Sequence, residues 1–364
     1  MHKRMQRNLV HIVLNVLIVG FVAATGVHAA ASADPDGDFA FAEHLMRDGM
    51  YDLAAQQLQL FINNHPEHPK TPDAFLLLAT AYTERDEFAR AADTYQGFTV
   101  KYPQDVRVRE FWLKQAQLRA RAGQHTDAAR EFLQLADAYP ESDFADDALL
   151  GAGTSYVKLR DLERAERTLT RLLTRYPNGN AVSAARVLLA RVRYQRGDAD
   201  GAEQVVRPVI QQRTLSNDVT DALLIGTKIA LSQNNIPEAR RLSDRLVAQA
   251  PGDVRAWEAR MVLGQALLDR GAERSDRETL NQAAELYKEA ARRATTVVLS
   301  EEALFNLARL RELQETPNLA LTNWQDFLNQ YPTSNRKPRA MLGLGRAHLA
   351  SGNDSEGILP LKNC

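Results

Sequence analysis

Apolar residues recur at helical spacing along most of the chain, as in Phe75, Leu78, Ala79 and Tyr82, then Phe88, Ala91, Ala92, Tyr95 and Phe98. Spacing of three and four places them on one side of a 3.6-residue helix. The pattern predicts helices in pairs, and the break within each pair carries turn chemistry at Gly49, Gly123, Gly197 and Asn234-Asn235, or charged residues where glycine is absent. Prolines close the second helix of each pair. Pro66, Pro103, Pro140 and Pro177 are 37 residues apart, Pro251 follows at twice that distance, and Pro332 lies seven residues beyond two further periods. The polar stretch 271–277 is the natural place for a seven-residue insertion.

Two ladders of small residues share this period. Twelve residues before each proline, or before its expected place, stand Ala54, Ala91, Ala128, Ala165, Ala202, Ala239, Ala283 and Ala320, with Gly357 in a ninth position. Twelve residues earlier again come Ala42, Ala79, Ala116, Gly153, Ala190, Thr227, Gly264, Ala308 and Gly345. Short side chains where two antiparallel helices cross let their backbones approach, so these positions predict the crossing points of eight helical hairpins. The hairpins occupy residues 34–337. A ninth begins near Pro338 and is incomplete at 364, since its closing proline would fall at 369. Two readings stay open for residues 338–364: the sequence is a piece of a longer protein, or the last half-repeat is an irregular cap or partner-binding end.

These residues resemble the tetratricopeptide repeat. Trp112 stands at the family's Trp site, Leu78-Ala79, Leu189-Ala190, Leu263-Gly264 and Leu344-Gly345 at its Leu-Gly site, and Tyr82 and Tyr156 at its Tyr site, beside the alanines and prolines above. The period is three residues longer than the family's usual length, and Phe61, Phe98, Leu135, Leu172, Leu246 and Phe327 stand where it often has alanine. The resemblance implies an all-α fold, an α-α superhelix of hairpins that binds other proteins. Tyr-Pro at 102, 139, 176 and 331 is similar to the repeats of periplasmic Tol-Pal-associated division coordinators and of the β-barrel assembly machine lipoprotein.

The first thirty-three residues read differently. Lys3, Arg4 and Arg7 precede an apolar run from Leu9 to Val22, and small-residue cleavage sites follow at Ala29 and Ala33, as in a secretory signal peptide. The expected destination is a bacterial periplasm. The alternative keeps residues 9–30 as an inner-membrane anchor. Removing the leader takes the formal charge from −1 to −4, too balanced for a nucleic-acid binder. The single cysteine, Cys364, allows no intrachain disulfide, and no cysteine near the cleavage region offers a lipoprotein-type anchor.

Candidate chemistry is sparse. Gly151-Ala152-Gly153 and Gly343-Leu344-Gly345 imitate part of a dinucleotide fingerprint, but lie inside predicted first helices at the close-packing site. Ser155 and Lys158 have Ser-x-x-Lys spacing without partner motifs, and His65 and His68 share a turn that lacks further ligands at suitable spacing. The expectation is a protein with no cofactor, no metal, no small-molecule substrate and no catalytic constellation. Its partners are other proteins of the cell envelope, with membrane contact only if the leader is retained. The alternative is a module of a larger envelope protein whose catalytic or peptidoglycan-binding part lies beyond residue 364.

In the family this chain resembles, first helices line the concave face. Three residues before the second ladder, on the first helices, runs an apolar column that includes Leu224, Met261 and Phe305; one residue after it runs a row that turns basic, Arg191, Lys228, Gln265, Arg309 and Arg346. One reading makes these a groove for a partner segment with acidic and apolar side chains. The other packs the apolar column between repeats and pairs the bases with Asp221, Glu258 and Glu302 on adjacent helices. The family's asparagine-based clamp for a peptide carboxylate does not fit, because the apolar column occupies its site.

Overall fold

The computed structural model describes residues 34–353 together with 355 and 356; the leader, Gly357 and Cys364 lie outside them. The described residues form seventeen α-helices and no strand. The chain divides into two compact units, one ending at Ser155 and the other beginning at Tyr156. Unit 1 contains α1 (Pro35–Arg47), α2 (Tyr51–Asn64), α3 (Thr71–Glu84), α4 (Phe88–Lys101), α5 (Val108–Arg121) and α6 (His125–Ala138), and the boundary falls inside α7 (Ala145–Lys158). Unit 2 continues with α8 (Leu162–Arg175), α9 (Val182–Gln195), α10 (Ala199–Ile210), α11 (Asn217–Ser232) and α12 (Ile236–Gln249). It ends with α13 (Val254–Arg274), α14 (Arg277–Arg293), α15 (Val297–Leu313), α16 (Pro317–Gln330) and α17 (Lys337–Ala350). Odd helices are the first members of hairpins and even helices the second.

The two ladders mark the crossings. All eight second-helix alanines are at most 1% exposed, and the nine first-helix small residues are buried with them. Each first helix ends in a left-handed residue: Gly49, Asp86, Gly123, Arg160, Gly197, Asn234, Ser275, Glu315 and Gly352 all have positive φ. That conformation reverses the chain, and glycine adopts it without steric cost. Second helices close in a recurrent way. The backbone N–H groups of His65, Tyr102, Tyr139, Tyr176, Ala250 and Tyr331 each donate to the carbonyl four residues back, on Phe61, Phe98, Leu135, Leu172, Leu246 and Phe327. The next residue is proline, which cannot continue the helix. The six acceptor residues, large where the resembled family often has alanine, are no more than 2% exposed and fill the hairpin cores.

The seven extra residues near 271–277 do not loop out. The left-handed turns are 37 residues apart up to Asn234, but Asn234 to Ser275 is 41 and Ser275 to Glu315 is 40. Four extra residues therefore lengthen α13 before the turn and three lengthen α14 after it. Gly271 makes this possible: a Cβ there would sit 2.9 Å from the Leu280 side chain, so only glycine lets the lengthened helices touch. In unit 2 each first helix packs on the next first helix, α9 on α11, α11 on α13, α13 on α15 and α15 on α17, whereas second helices reach one another through long side chains, as where Arg240 on α12 donates to Gln282 on α14 at 3.0 Å. First helices thus form a close-packed layer over which the second helices splay.

Candidate interaction surface

The basic row lies on this first-helix layer. Arg191, Lys228, Gln265, Arg309 and Arg346 stand on five successive first helices at one register position, half-buried at Arg191 and Lys228 and exposed at the other three. The residues beneath are inside the core: Leu224, Met261 and Phe305 are only 7–8% exposed. Phe305 packs its ring centroid 5.1 Å from Trp324 and 5.4 Å from Phe327, with the Arg336 guanidinium 5.6 Å above it. The polar row faces outwards and the apolar column supports it from below, rather than flooring an open groove.

Members of the row differ in what holds them. Arg191 is 4.0 Å from Asp221 on the next first helix, the one such link to the three expected acids among the described residues. Arg346 donates to Glu312 at 3.2 Å, and Glu312 also accepts the Trp324 indole N–H at 2.9 Å. Gln265 donates to Asp269 at 2.7 Å and accepts from the Tyr287 hydroxyl at 3.2 Å. Lys228 and Arg309 have no carboxylate within ion-pair distance among the described residues. They are the two cations of the row without an acid of their own among the described residues.

The acids at the helix starts have further cationic partners at the start of the next first helix. Lys70 lies 3.2 Å from Asp36, Arg107 2.7 Å from Asp73, Arg255 3.1 Å from Asp221 and Arg336 3.6 Å from Glu302. Each pair spans 34 residues and ties the start of one first helix to the next. Counting charges by the 37-residue register would have revealed these clasps in the sequence. A buried polar cluster carried no such signal. Glu131 is 6% exposed and Gln115 4%, each with an oxygen lacking a hydrogen-bond partner, and burial pushes the Glu131 carboxyl above its usual range against the opposing pull of Gln115 and Arg119.

The other candidate motifs are absorbed by packing. A Cβ at Gly343 would meet the Trp324 ring at 2.4 Å, and one at Gly151 the Phe132 ring at 2.6 Å. The Ser155 hydroxyl donates to the Gly151 carbonyl at 2.9 Å. His65 and His68 lie 3.8 and 3.9 Å from Asp38 and Asp36, and pack against Phe61 with tilted and edge-on rings respectively. Among the described residues no group of three or more His, Cys, Asp or Glu is placed to hold a metal, and no helix is long and apolar enough to cross a membrane.

Paired helices, a left-handed turn in each pair and a layer of first helices define an α-hairpin repeat protein. Family profiles agree along the chain: the outer membrane lipoprotein family YfiO matches residues 35–151, and tetratricopeptide repeat profiles match 150–213, 228–281 and 302–334. The chain is a tetratricopeptide repeat protein that resembles outer membrane lipoproteins over its first repeats. A tetratricopeptide repeat protein from Parabacteroides merdae ATCC 43184 is 13% identical, covers 76% of this chain and 98% of its own, and superposes with a TM-score of 0.50. PilW, a widely conserved type IV pilus biogenesis factor, is 22% identical over 62% of this chain and 98% of its own, at 0.43. A search of curated proteins returns no match.

Proposed function

We propose that the chain is a non-catalytic protein-binding scaffold of the bacterial cell envelope, working in the periplasm, and that the first-helix row of unit 2 receives an acidic segment of its partner. The observation that carries this reading is the row itself, in which Lys228 and Arg309 stand on a close-packed layer without acids of their own. Cations held on rigid helices attract and orient an acidic chain, chiefly through on-rate and register. The leader-like residues 1–33 and the outer membrane lipoprotein match over 35–151 support an envelope location. The lipid anchor named by that family is not carried over, since the sequence has no cysteine in this region.

The test is binding of synthetic peptides that interleave Glu with Leu and Phe, followed by fluorescence anisotropy. The double variant Lys228→Glu, Arg309→Glu should lose binding while melting at the wild-type temperature. Unchanged binding would remove the row from the proposal.

A further inference from the structure

The two units carry opposite charge. Residues 34–155 hold 21 acidic against 11 basic side chains, whereas residues 156–364 hold 31 basic against 25 acidic. Part of the acidic excess sits at one edge of unit 1, where the C-terminal ends of the neighbouring helices α1 and α3 expose Glu43, Asp48, Glu84 and Asp86 around one exposed arginine, Arg47, whose guanidinium is bonded to His44 at 2.8 Å. None of these four carboxylates has a cation within ion-pair distance among the described residues. The nearby Arg85 is already held by Asp52 and Glu87, each at 2.7 Å. Helix stability does not account for them. A helix C-terminus is the negative end of the macrodipole, so acids there are unfavourable, in contrast to Asp36 and Asp73 in the first turns of the same helices.

We propose that this acidic edge docks on the Lys228 and Arg309 row of a second copy of the chain. The proposal rests on the reading of that row as an acceptor of acidic segments, and names the occupant. The contact joins unlike surfaces, so it leaves an acidic edge free on one copy and a basic row free on the other, and can extend from copy to copy. Being carried by exposed charges, it is screened by salt.

Sedimentation equilibrium of residues 34–364, which contain both described units, tests it. At low salt the average mass should rise with concentration, and at about 0.5 M salt, where the screening length falls to a few ångströms, it should return to that of the monomer. Glu84→Lys with Asp86→Lys, and separately Lys228→Glu with Arg309→Glu, should each be monomeric alone. Mixed, the two variants should form a complex, because the mixture restores one native pair of surfaces. A wild type that stays monomeric at low salt, variants that associate as the wild type does, or a mixture that stays apart would each overturn the inference. Binding of the Glu-interleaved peptides by a chain that stays monomeric would leave the scaffold reading standing and remove only the second copy. Failure of both assays would remove both.

Discussion

The Arg255 guanidinium lies 3.1 Å from the Asp221 carboxylate, 34 residues back at the start of the preceding first helix. The same side chain bonds Asp253 at 2.6 Å, and the arrangement recurs four periods earlier, where Arg107 joins Asp105 at 2.9 Å and Asp73 at 2.7 Å. One arginine thus holds its own helix start and its neighbour's. The arginine hydrogen bonds keep the Asp105 and Asp253 carboxyls below their usual range.

Such a depressed carboxyl adds stability above its unfolded pKa of about 3.9 and loses it as pH falls through the lower folded value. Arg255→Ala should therefore cost about 1 kcal/mol at neutral pH, as expected for a partly exposed pair. The deficit should shrink in strong acid, where the wild type loses the same interaction. Thermal melts at neutral pH and near pH 2 decide this; an equal deficit at both would detach the arginine from the acid response.

Glu131 has the opposite sign. Its carboxyl is raised chiefly by burial, so its ionised form weighs against the fold, and stability falls as pH rises from its unfolded pKa through its folded one. Glu131→Gln should melt above the wild type at neutral pH and level with it in acid. A variant that melts lower at neutral pH would show that Arg119 needs the charge.

Asp86, Arg160 and Glu315 occupy left-handed positions that glycine fills in other repeats. Glu315→Gly should stabilise by up to about 1 kcal/mol by relieving the clash of Cβ with the backbone, and Gly197→Ala should destabilise by about as much. Denaturant midpoints read both. A shift of Glu315→Gly to lower midpoint would mean that its side chain contributes more than its backbone conformation costs.

Close packing at the crossings allows no added volume. Ala165 is fully buried, and Ala165→Phe should overpack its hairpin at a cost of about 1–3 kcal/mol. Gly343→Ala should be costly as well, because the Trp324 ring it would strike is fixed by its bond to Glu312. If neither variant melts below the wild type, the two ladders are not the crossing points.

The period, the crossings and the turns were legible because each is set by a local requirement: a small side chain where backbones meet, a left-handed residue where the chain reverses, proline where a helix ends. Depth was not. Periodicity put Leu224, Met261 and Phe305 on one face of their helices, but only the neighbouring repeats decide how far that face is covered. The fate of the 271–277 insertion also turned on a tertiary contact, Leu280 against Gly271. The pairing of Arg346 with Glu312, one repeat back, depended on side-chain directions that spacing alone does not supply.

The lengthened hairpin α13–α14 has a further consequence. A regular array offers the same face every 37 residues, so a segment lying across it meets several equivalent seats and can slip by one repeat without losing contacts. Four added residues raise α13 by about 6 Å at the rise of an α-helix, and its fellow α14 follows it. A partner segment docked as proposed would therefore meet distinguishable seats in unit 2, with the lengthened hairpin as the origin from which its position is counted.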